Sequence, residues 1–252
     1  LLAGCFADNG STHYGVGPDV LYVSGAFLSE IRVEVVFEEG WAPTSEALQL
    51  LEDRLHEVTT KTKITIGTPR SIPPGDHPYS LAEAGEVAQR EYHGPDDRYC
   101  GDHSILSVFY LRGNGEAWGV GGFGAATVFP NLDRGTLMEQ YEPAVLIHET
   151  GHALGLVHSG IPMTRPHEDA SSPGHSNNVS SVMHVRADIW NVEDLSHEPS
   201  RVVQVHLSTE FDSDDLADLR AAEQAVRARV EAARATRATC VSSSRLWPRR
   251  SG

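Results

Sequence analysis

The sequence predicts an α+β fold, on three observations. Strand candidates gather in its first half, an apolar helix candidate rich in histidine stands near its middle, and a second capped helix follows a long irregular stretch. Ile31–Phe37 alternates well enough for a strand, and Thr44 or Ser45 can cap a helix running to about Val58. Thr62–Gly67 is a second strand candidate. Ser80 to about Tyr92 has weaker helical character inside a Pro/Gly-bearing insertion. Ile105–Leu111 reads as a core strand, and Asn114–Gly115 supplies a hairpin turn after it. Trp118–Phe129 mixes strand residues with glycines that let another backbone approach. Ala144, Val145, Ile147, Ala153, Leu154 and Leu156 then wrap a polar run in apolar residues, as a buried helix requires. Pro, Ser, Gly and Asn dominate the loops beyond. At Phe211–Leu216 a last helix begins: Ser213 caps it, Asp214 and Asp215 complement its dipole, and Leu216, Leu219, Val226 and Val230 mark its apolar face. Residues 187–210 are an insertion with no legible role, and no internal repeat is apparent.

A chain of 252 residues with 40% hydrophobic content can bury one substantial core. Its net charge of −15 argues against nucleic-acid binding. The charge is uneven: arginines recur from Arg220 to Arg250, so the C-terminus is basic, either as a solvated helix face with a frayed tail or as a contact for an anionic surface. No segment is long and apolar enough to span a bilayer.

The most informative run is His148-Glu-Thr-Gly-His152-Ala-Leu-Gly155-Leu-Val-His158. Positions i and i+4 share a helix face, so His148 and His152 can hold one ion together. Gly155 adopts positive φ without steric cost, so the helix can stop and turn His158 back as a third ligand. Three nitrogen ligands leave a fourth tetrahedral position for water, the arrangement of a catalytic zinc. Glu149 sits beside His148, placed to take the proton of that water and return it to a leaving amine. The competing reading is a histidine-rich helix end without metal, in a chain with 13 histidines. Five specified positions at fixed spacing favour a zinc hydrolase, with one catalytic ion.

The motif, followed by Ser180-Ser181-Val182-Met183-His184, resembles the metzincin clan of zinc metallopeptidases. The stretch Pro173–Met183 also looks like the approach to the methionine turn in bacterial members. The resemblance implies a twisted, mostly parallel sheet with an antiparallel edge strand, an active-site helix, and an irregular C-terminal subdomain ending in a helix. It carries Met183 over as the apolar floor beneath the histidines. Val185 stands where some members have a tyrosine, so no tyrosine switch is assigned; His184 either packs beside the turn or touches substrate. In metzincins an edge strand before the active helix binds extended peptide by strand addition. Gly122, Phe123, Gly124, Ala125 and Ala126 are the matching candidates here, against the reading of a glycine-rich bulge that contacts no substrate. Asp169 and His175 form either a second metal or ordering site or ordinary loop hydrogen bonds.

Leu2-Ala3-Gly4-Cys5 matches a lipobox, so the resemblance extends to a bacterial lipoprotein with lipid on Cys5. The enzyme is then exported and tethered to a bacterial membrane only by its N-terminal lipid, works outside the cytoplasm as a monomer, and takes a peptide or protein substrate. Cys100 and Cys240 remain as a pair that such a compartment would allow to bond. This layout divides the chain into a lipobox remnant and linker (1–30), a catalytic domain (31–235, its upper part to about 158 and lower part 159–235) and a basic tail (236–252). Endopeptidase activity leads. A zinc hydrolase restricted to short or cell-wall peptides and a non-catalytic binding lipoprotein with a zinc fold stand as alternatives; Glu149 speaks against the last.

Overall fold

A computed structural model describes residues 19–91, 103–115, 117–122, 124–130, 137–157, 159–184 and 208–244. Cys5, Cys100, Phe123, His158 and Val185 lie outside them. Among the described residues no helix is long and apolar enough to cross a membrane.

The first strand, β1 (Glu30–Glu38), extends the alternating Ile31–Phe37 run by one residue at each end. Thr44 caps α1 (Ser45–Val58), its side chain accepting a hydrogen bond from the Ala47 amide at 3.2 Å. β2 (Lys63–Ile66) follows, then β3 (Arg70–Ile72), which the sequence pattern had not signalled. A capping box starts α2 (Leu81–Glu91): the Glu83 amide donates to Ser80 Oγ at 3.3 Å, and the Ser80 amide donates back to the Glu83 carboxylate at 2.8 Å. β4 (His103–Tyr110), β5 (Gly119–Gly122) and β6 (Ala125–Val128) complete the sheet. The helices α3 (Leu137–Leu154) and α4 (Ser213–Ser244) supply the site and its support. Helix α4 runs past residue 236, where a basic tail was expected to begin.

The six strands form one sheet in the order β2-β1-β4-β6-β5, with β3 also pairing β1. All pairings are parallel except β5 with β6, which is antiparallel at the edge. This is the mostly parallel sheet with an antiparallel edge strand that the sequence predicts. The hairpin expected at Asn114–Gly115 does not form between β4 and β5. The Asn114 amide instead donates to the Tyr79 carbonyl at 2.8 Å, and β4 pairs with β1 and β6. The reversal falls one strand later, where Gly122 pairs with Ala125 around Gly124, whose φ is +72°. Strand alternation sorts β4 onto two faces. Leu106, Val108 and Tyr110 enter the core beneath α1 and α3, while Phe109 and Leu111 pack with Ala84 and Val87 of α2 on the other side.

Lys61 is buried in this frame, its Nζ donating to the carbonyls of Leu21 at 2.6 Å and Leu28 at 2.9 Å. Burial pushes its pKa down to about 7. Between pH 7 and the ordinary lysine range the unfolded chain therefore binds the extra proton, so stability should rise with pH across that window. The neutral amine still has N–H groups for both carbonyls. The unfolding free energy of the wild type from urea titrations should climb from pH 7 to 9, with a slope approaching about 1.4 kcal/mol per pH unit. Lys61→Met should lack this component; equal slopes in the two proteins would count against it.

Candidate metal centre

The helical repeat of α3 places His148 and His152 one turn apart, with their Nε2 atoms 3.1 Å from each other. His148 is fully buried, and its Nδ1 lies 2.6 Å from the Val182 carbonyl. A carbonyl can only accept, so Nδ1 carries the proton and Nε2 presents its lone pair to the cluster. His152 has Ser159 Oγ at 3.5 Å from its Nδ1.

The third member is His175, delivered by a loop rather than by the helix. Glu168 and Ser176 form an antiparallel bridge, with the Asp169 amide donating to the His175 carbonyl at 2.7 Å and the Asn177 amide to the His167 carbonyl at 2.7 Å. The His175 ring stacks on His148 (centroids 5.2 Å apart, planes at 21°) and stands edge-on to His152 (5.2 Å, 87°). Its Nδ1 lies 3.1 Å from Ser172 Oγ. The ligand-capable atoms of His148, His152 and His175 all fall within 4.8 Å of one another.

This donor set suits zinc. With Zn–N bonds of roughly 2.0–2.1 Å, two nitrogens on one tetrahedral ion stand about 3.3 Å apart, close to the His148–His152 spacing. Imidazoles without thiolates also fit that metal. The sequence pointed to His158 as the third ligand. That residue lies outside the described ones, and among those described it is His175 that completes the group. Asp169, which the sequence coupled to His175, turns instead to its own loop. It accepts from the Ser171 amide at 2.8 Å and the Ser171 hydroxyl at 2.7 Å, and these bonds hold its carboxyl below the usual range.

The sequence marks His175 only as a possible metal or ordering residue beside Asp169; its place at this centre is set by pairing with the methionine turn. The Ser176 amide donates to the Met183 carbonyl at 2.8 Å, and Ser176 also bridges His184. Whatever holds the methionine turn under α3 therefore holds His175 over the same helix. Met183 is fully buried, and a Cβ on Gly151 would collide with its sulfur, so the turn sits directly against α3. His184 is half-buried beside Ser176.

Glu149 is 2% exposed, with its carboxylate over β5. Two glycines of one strand face make that approach feasible. A Cβ on Gly119 would lie 2.6 Å from Glu149 Cγ, and one on Gly121 would overlap the Glu149 carbonyl oxygen and sit 2.8 Å from His152 Cβ. The substrate-edge candidates divide accordingly. Gly122 ends β5, the edge strand, whereas Ala125 and Ala126 lie in β6, which is paired on both sides. Their backbone groups serve the sheet, so the edge suited to strand addition is one strand earlier than expected. Gly124 lies in the intervening turn, and Phe123 is outside the described residues.

No protein-family model and no curated protein matches the chain. Among solved structures it is similar to the archaemetzincin of Methanopyrus kandleri, at 18% identity and TM-score 0.47, over 79% of this chain and 97% of that one. It is also similar to the archaemetzincin of Archaeoglobus fulgidus complexed with malonate, at 14% identity and TM-score 0.39, over 75% and 99% of the two chains.

Proposed function

We propose that the chain is a zinc-dependent endopeptidase with His148, His152 and His175 as metal ligands and Glu149 as general base and acid. The observation that carries this reading is the convergence of three imidazoles from a helix and a loop, with a buried carboxylate on the residue after the first. A zinc ion held there supplies a Lewis acid and lowers the pKa of a water to about 7. Glu149, shielded between α3 and β5, takes a proton from the attacking water and returns it to the departing nitrogen. The outer edge of β5 offers an extended substrate backbone hydrogen bonds beside Glu149 and His152.

A panel of quenched peptides of graded length tests the proposal. Cleavage of the longer peptides should stop with a chelator and return with zinc. Chelator-sensitive cleavage of short or cell-wall peptides alone would narrow the activity to a restricted hydrolase. Zinc binding without any chelator-sensitive cleavage would overturn the enzymatic reading.

A further inference from the structure

Helix α4 begins with an acidic run, Asp212-Ser-Asp-Asp-Leu-Ala-Asp218. Such residues ordinarily cap the helix and face its dipole. Only part of the run does so. Asp212, and not Ser213 as the sequence suggested, is the residue that caps, its Oδ1 accepting from the amides of Asp214 at 2.7 Å and Asp215 at 2.9 Å. Asp215 closes that cap reciprocally, its Oδ2 accepting from the Asp212 amide at 3.1 Å, and with Asp218 it turns inward, both essentially unexposed.

Asp215 meets both segments that shape the metal centre. Its Oδ2 accepts from the Ser181 hydroxyl at 2.6 Å, and Ser181 Oγ in turn accepts from the Met183 amide at 2.8 Å. Between those two residues stands Val182, whose carbonyl orients His148. The other oxygen, Oδ1, faces Nε2 of buried His167 at 3.5 Å, with Asp218 Oδ2 3.7 Å from the same nitrogen, close contacts outside hydrogen-bond geometry that attract when the ring is protonated. His167 Nδ1 lies 3.1 Å from the Arg165 carbonyl and so carries a proton there. His167 begins the loop that returns at Asn177 after presenting His175. Asp218 Oδ1 fastens the approach to that loop, accepting from the amide and hydroxyl of Thr164 at 2.6 and 2.7 Å, while Arg165 pairs with Asp214.

We propose that Asp215 is the positioning residue of the metal centre: one carboxylate, planted on α4, sets the Val182 carbonyl that aims His148 and the loop that carries His175. It touches neither metal nor substrate and acts through Ser181 and His167. Burial, joined by the Asp212 carboxylate, pushes its carboxyl up to about 6, opposed by the Ser181 hydroxyl, the Asp212 amide and His167. Keeping a group at such a desolvation cost fits a role that an apolar residue of the same size could not fill.

This proposal rests on the zinc-site reading, and its test separates the two. Zinc affinity is measured by competition with a chromophoric chelator, and the visible spectrum is recorded with cobalt in place of zinc. Asp215→Ala should bind zinc on the order of 10–100-fold more weakly, as expected when the support of a ligand is lost, with an altered cobalt spectrum. Ser181→Ala should weaken binding in the same direction. Asp215→Asn should recover part of the loss, because an amide oxygen still accepts from Ser181. Val226→Ala is the control: it removes a buried α4 side chain about three turns beyond Asp215 and outside the core cluster that holds Val182 and Met183, so it should lower Tm and leave zinc affinity and the cobalt spectrum unchanged. Wild-type affinity and spectrum in Asp215→Ala would overturn the proposal. If that variant does not fold, wild-type behaviour in both Asp215→Asn and Ser181→Ala would do the same. A wild-type protein that binds no zinc would overturn the metal centre itself.

Discussion

Replacing His175 with alanine should weaken zinc binding by more than about 100-fold, a larger loss than that from disturbing a ligand's support, and abolish chelator-sensitive hydrolysis. The variant keeps a two-nitrogen chelate on α3, which leaves the ion with too few protein ligands for a catalytic site. His158→Ala is the informative partner, since the sequence motif assigns that residue the same place. With His175 as the third ligand, His158→Ala retains zinc. Zinc content after gel filtration, together with chelator competition, distinguishes the two. Loss of zinc from His158→Ala with retention in His175→Ala would return the ligand role to the motif histidine.

Glu149→Ala should do the opposite, keeping the metal and losing the chemistry. The carboxylate belongs to the helix turn of His148 and His152, yet it is directed over β5 and lies outside the three-histidine group. Its removal leaves the ligands in place and deprives the water of its proton acceptor. Turnover should fall by at least 10²–10⁴-fold with zinc stoichiometry unchanged. Hydrolysis near the wild-type rate in this variant would refute the general-base role.

Much of the fold could be read from local pattern. β1 and α1 follow from alternation and from one capping threonine, and the glycines of β5 announce a close backbone approach. What escaped was set by long-range pairing. Nothing local says whether the strand after Asn114–Gly115 will lie against β4 or, as it does, against β6 at the sheet edge. The same logic divides the site. His148, Glu149 and His152 come from a single helix, so their spacing alone predicts their geometry. His175 reaches them through bridges from Ser176 to Glu168 and His184, none of which leaves a periodic trace. His158 fits the spacing rule and lies outside the described residues. Gly155 does adopt φ +97°, and Val157, a β-branched residue, follows at φ +45°. The backbone leaving the helix is thus bent at two positions. Likewise Asp215 reads as a dipole-complementing residue in sequence, because the turn it supports lies 32 residues or more away.

The arrangement of ligands on one helix and one loop also has a consequence in chain entropy. An ion bridging His152 and His175 closes the 22 residues 153–174 into a ring. For a freely flexible segment of that length, closure costs about 3 kcal/mol. Here the segment is not free when the ion arrives: Thr164, Arg165 and His167 are already fastened to α4. Most of the closure is therefore completed by folding. Helix α4 would then act as a preorganising clasp, and for a metal bound at the proposed centre the binding energy otherwise spent on ordering the loop would remain available to hold the ion.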